Sequence, residues 1–145
     1  MFRAFALAFL LLAAVPAVAG GPDDPDSYLV PCADVVGSVD AATCALRADI
    51  FLDAWRGAHA GDRSSQIALA EIFATQEPDY TPVLTSNFIE SCAWALVAVY
   101  SDAATVRPLD LRRAADFCYL LPVSAYAAAR RRAASLLAGL PRAPS

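Results

Sequence analysis

The sequence contains no lysine: its eleven basic residues are all arginine, a bias that GC-rich coding explains. It has one histidine, His59, which leaves a catalytic dyad without parts. No two of its four cysteines have the CxxC spacing of zinc sites, and a redox-active thiol pair is weaker still. A Ser-centred nucleophile elbow, a Gly-rich phosphate loop and a metal-binding helix motif are all missing. Apolar and polar residues nowhere alternate convincingly with a period of two, which argues against a sheet. We therefore assign no catalytic residue, no metal ligand and no cofactor from the sequence.

The first segment, "MFRAFALAFLLLAAVPAVAG", carries Arg3, an apolar run from Ala4 to Val15, the helix breaker Pro16 and small residues at Ala17 and Ala19. This is the pattern of a signal peptide cleaved before Gly20. The run is too short for a membrane anchor, which needs ~20 residues. An exported chain, periplasmic or secreted from a bacterium, is expected, with no transmembrane segment in its mature part. Residues 20–145 amount to about one domain, large enough for a single core.

Residues 20–37, "GGPDDPDSYLVPCADVVG", read as an extended leader that touches the body through Tyr28-Leu29-Val30 and Cys32. From residue 38 to 139 the period is 3.6, and five helices are expected: 39–58, 63–75, 88–101, 109–121 and 123–138. Ser38 and Asp62 serve as N-caps, and Asn87 with Glu90 fits a reciprocal cap. Pro108 suits a first turn, and Gly139 ends the last helix before a short tail, 140–145. Leu46, Ile50, Phe51, Ala54, Trp55 and Ala58 form the first apolar stripe. Ile89, Cys92, Ala93, Leu96, Val97 and Tyr100 form the third, and Leu111, Ala114, Ala115, Cys118 and Leu121 the fourth. Short connections make the neighbours antiparallel, an all-α array of helical hairpins or a small bundle.

"GDRSSQIALAEIFA" followed by "ESCAWALVAVYSDA" resembles a Sel-one-like repeat, a relative of the tetratricopeptide repeat. Gly61, Asp62, Gln66, Leu69, Ala70 and Phe73 match its first helix; Ser91, Trp94 and Ala98 match its second. The Gly-rich turn between them is absent, with Pro78 and Pro82 in a longer loop instead. One degenerate repeat is clear, and "ADFCYLLPVSAYAAARRRAASLLAGL" offers half of a second. The resemblance implies a scaffold or adaptor that binds another protein of the cell envelope through a concave groove.

Four cysteines in an oxidising compartment favour two disulfides. Cys92 and Cys118 lie level on facing stripes of an antiparallel hairpin, which leaves Cys32 for Cys44; a Cys44–Cys92 pair is the rival. His59, at a helix C-terminus, is expected at the surface, where the helix dipole favours its cation. Asp49 and Asp53, one turn apart, are expected on a solvated face. With Glu90 they would instead serve a small envelope enzyme or an enzyme inhibitor, and they could also hold calcium. Among Arg130, Arg131 and Arg132, Arg130 falls at the edge of the buried stripe, and the three offer a surface to an acidic partner. Nucleic acid is excluded by export, net charge −4 and the lack of interleaved aromatics. Residues 20–90 carry a net −9 and residues 91–145 a net +4, so self-association through the two halves is a further alternative.

Overall fold

The computed structural model describes residues 23–35, 39–75, 83–102 and 106–141. The expected cleavage before Gly20, the expected cap Ser38, loop residues 76–82 and the end of the tail lie outside them. Among the described residues five α-helices are formed, α1 Ala41–His59, α2 Arg63–Ala74, α3 Phe88–Tyr100, α4 Pro108–Tyr119 and α5 Val123–Gly139, and the leader, expected to be extended, makes a short 3-10 helix at Pro25–Tyr28. Each α-helix end lies within two residues of the sequence expectation. Among the described residues no strand forms; Leu29 and Leu84 make an isolated antiparallel bridge. The fold is all-α.

The helix starts follow from local chemistry. Asp40 caps α1, its carboxylate accepting from the Thr43 amide at 2.8 Å. Gly61, with φ of 90°, turns the chain so that Asp62 can cap α2, accepting from the Ser65 amide at 2.8 Å. Asn87 accepts from the Glu90 amide at 3.2 Å. Glu90 does not complete the reciprocal cap, because its carboxylate pairs with Arg132 instead. Pro108 opens α4, and Asp110 accepts from the Arg107 amide at 2.9 Å.

The hub is α3, which packs against α2, α4 and α5, while α1 packs mainly on α2. Its sequence explains this position: "FIESCAWALVAVY" has one charged residue and is otherwise apolar or small all round. Residues 90–95 and 97–99 are buried. Small side chains permit the close approach to α2: Ala70, Ser91 and Ala98 are buried, and the Ser91 hydroxyl donates to the Ala70 carbonyl at 2.7 Å. The α1–α2 seam is equally tight, since a Cβ at Gly57 would run into the Ser65 hydroxyl. Gln66, fully buried, donates to the Ala58 carbonyl at 3.3 Å and accepts from the Ser101 hydroxyl at 3.1 Å. Aromatic rings fill the space beyond. Tyr28, Phe51, Trp55 and Phe73 meet with centroids 5.0 to 6.5 Å apart, so the leader inserts a ring into the core.

Two disulfides close the fold. Cys32 and Cys44 are bonded with Cα atoms 5.8 Å apart, and Cys92 and Cys118 with Cα atoms 4.9 Å apart. The rival Cys44–Cys92 pair does not form.

Three expected stripes need correction. Leu46 and Ile50 are 60% and 53% exposed, because α1 packs mainly on α2 and turns Cys44, Phe51, Ala54, Trp55 and Ala58 inward. Tyr100 is 65% exposed, on a flank of α3 that no described helix covers. On α4, Leu111 and Ala115 face solvent, while Asp110 and Ala114 are buried. The Arg63–Asp110 ion pair, 2.7 Å, fixes that rotation.

Candidate binding groove

Ile89, Leu96 and Tyr100 fall at offsets of 7 and 11 along α3 and so share one line on the helix. With the other flanks taken by α2, α4 and α5, this line stays open. Leu96 and Tyr100 form one wall of a groove, and α5 forms the other with Tyr126, Arg130 and Leu137. Buried Ala133 and exposed Ala134 complete its lining, and its volume is about 240 Å³. These small residues let α5 approach α3 without filling the space beside them.

What holds α5 in place is a buried ionic cluster. The Arg132 guanidinium donates to both Glu90 oxygens at 2.9 and 3.3 Å and to Asp23 at 2.7 Å. Its side chain is 11% exposed and that of Glu90 7%. Tyr28 hydrogen-bonds into the same cluster. Burial pushes the Glu90 carboxyl above its ordinary range, opposed by Arg132. Burial and the neighbouring Glu90 push the Tyr28 phenol up to about 12. One guanidinium thus joins α5, α3 and the leader. Removing one partner of such a pair typically costs about 3–5 kcal/mol, because the other charge is left buried alone.

The three arginines therefore divide. Arg132 points inward, Arg130 stands at the groove rim and Arg131 is exposed. The sequence reading placed Arg130 at the edge of the buried stripe; the structure gives the inward position to Arg132. Arg132 lies three residues after Ala129 and four before Leu136, both buried, and that spacing was the available signal.

His59 also departs from expectation. Its ring packs against Trp55 and Trp94, with centroids 4.7 and 5.0 Å away. Its Nε2 and the Trp94 Nε1 are buried and hydrogen-bond to nothing among the described residues. Burial depresses the imidazole pKa, with Arg132 acting in the same direction and Asp23 against it. Desolvation outweighs the helix dipole here, so His59 is an aromatic partner more than a surface cation.

The carboxylates considered for chemistry are not brought together. Asp49 and Asp53 sit on the exposed face of α1, where Asp53 pairs with Arg56. Glu90 is buried against Arg132. Among the described residues, no group of three or more His, Cys, Asp or Glu side chains is placed to hold a metal ion. No described helix is long and apolar enough to cross a membrane. By contrast, the repeat-like residues converge: Gln66, Leu69, Ala70, Phe73, Ser91, Trp94 and Ala98 are all buried around the α2–α3 pair, and Gly61 and Asp62 form its entry turn.

Compared with models of known families, with curated proteins and with solved structures, the chain matches none.

Proposed function

We propose that this protein is an exported, disulfide-clamped helical module that binds another protein of the bacterial envelope, as a scaffold or adaptor, without catalysis of its own. The α2–α3 pair, on this reading, is a single degenerate Sel-one-like repeat. The observation that carries the proposal is the groove beside α3: a channel of mixed polarity in which Leu96 and Leu137 lie beside two exposed tyrosines and one arginine. Tyrosine and arginine are the residues that recur at the energetic centres of protein interfaces. Paired cysteines accord with an oxidising compartment, hence with export into the periplasm or medium. The test is a photo-crosslinking amino acid placed at Tyr126, compared with one at the exposed Ser64 of α2, in the native envelope. One discrete adduct from position 126 and none from position 64 is the expected result. Equal labelling from both positions, or turnover of an envelope substrate by the purified chain, contradicts it.

A further inference from the structure

We infer that the groove between α3 and α5 takes α1 of a second copy of this chain, so that copies associate head to tail. The inference rests on reading that groove as a protein-binding site, and it narrows the envelope protein bound there to another copy of this chain.

Two exposed faces carry it. On α1, Leu46, Asp49, Ile50 and Asp53 fall at offsets of 3, 4 and 7 and share the side of the helix turned away from the core. Leu46 and Ile50 are exposed although large and aliphatic. Asp53 pairs with Arg56 on its own helix, whereas Asp49 has no ion-pair partner among the described residues. On α5, Val123, Tyr126, Arg130 and Leu137 form a comparable stripe, and Val123 prolongs the groove as an exposed apolar residue. Arg130 likewise has no ion-pair partner among the described residues. One face sets Leu46 and Ile50 beside a carboxylate, the other sets Val123, Tyr126 and Leu137 beside a guanidinium, and neither charge has an ion-pair partner among the described residues. A cavity of about 240 Å³ lined in part by alanine admits aliphatic side chains such as Leu46 and Ile50. An amphipathic helix seated in a groove is a recurrent way for proteins to associate. The net charges, −9 over residues 20–90 and +4 over 91–145, favour the same polarity at longer range.

Because the two faces lie on different helices, the contact is heterologous. Each copy offers one of each, and association continues past the dimer unless a ring closes.

Sedimentation velocity of the oxidised full chain tests this across a concentration series at low and high salt. The expected result is a mass that rises beyond the dimer with concentration and falls when salt is added. Ile50→Arg and the pair Arg130→Glu with Tyr126→Ser each weaken association by about tenfold or more. All three positions are exposed, so unchanged circular dichroism and melting confirm that each variant folds. The deciding sample is an equimolar mixture of those two variants: one keeps its groove, the other its α1 face, and together they form a one-to-one dimer that grows no further. A wild-type chain that stays monomeric at every concentration overturns the inference, as does an assembly that neither variant weakens. If the monomer nevertheless gives a discrete adduct to a different protein from position 126, the binding site stands and only its occupant is wrong. No adduct from position 126 removes both.

Discussion

The two sides of α3 are built from different materials. Toward α1, α2 and the leader, the space is filled by Tyr28, Phe51, Trp55, Phe73 and Trp94 in ring-to-ring contact. Toward α4 and α5, buried positions are mostly small, with Ala114, Ala129 and Ala133 among them, and large apolar residues such as Tyr119, Leu120 and Val123 stand exposed. The aromatic side is closed by packing. The alanine side is held by one disulfide and by the Arg132–Glu90 and Arg63–Asp110 ion pairs, and it retains a groove. Side-chain size, more than hydrophobic content, decides which side of a central helix is sealed and which keeps a groove.

The comparison breaks most severely at Phe51. Phe51→Ala removes a fully buried ring touching three others, and a loss of about 3–5 kcal/mol is expected in denaturant unfolding. The next effect falls on the other side. Replacing Cys92 and Cys118 by alanine opens a loop with a sequence separation of 26, and the chain-entropy relation gives about 3.5 kcal/mol. Amide exchange should then rise in α4 before α1 and α2; a uniform rise would make the two sides one cooperative unit.

A smaller effect is tied to pH. His59 has a depressed pKa when folded, so the unfolded chain takes up a proton more readily as pH falls below 6.5. Stability is therefore full above that value and declines as pH drops through it. Glu90, whose pKa is raised by burial, acts in the opposite direction, so the readout is a difference between chains. Between pH 7 and 5, the melting temperature should fall more in the wild type than in His59→Gln. Equal slopes would place the imidazole in water. The smallest effect is expected at the exposed positions of this side, where Leu120→Ala after α4 or Arg130→Ala at the groove changes stability by at most about 0.5 kcal/mol.

Much of this asymmetry could be read from residues in order. Helix limits followed from Asp62, Asn87, Pro108 and the 3.6 period, the Cys92–Cys118 pair from its level positions, and Cys32–Cys44 as the pair that remained. Periodicity indicates which way a residue faces but not how many helices stand there to meet it. Leu46 and Ile50 satisfy the α1 stripe as well as Phe51 does, yet no helix lies on their side. For α3 the error ran the other way: one stripe was expected, and three flanks are covered, because a helix apolar all round carries no mark of which flank stays open. The Glu90–Arg132 pair spans 42 residues, and nothing local announces it beyond the place of Arg132 beside Ala129 and Leu136.

The sealed side and the open side differ in how they present tyrosine, which makes hydroxyl-radical footprinting the most direct measurement. In dilute, oxidised protein, Tyr100 and Tyr126 should react readily and Tyr28 hardly at all; in the associated form, Tyr100 and Tyr126 should become protected while Tyr119 does not change. Tyrosines 100 and 126 as unreactive as Tyr28 in the dilute chain, or no protection on association, would contradict the account.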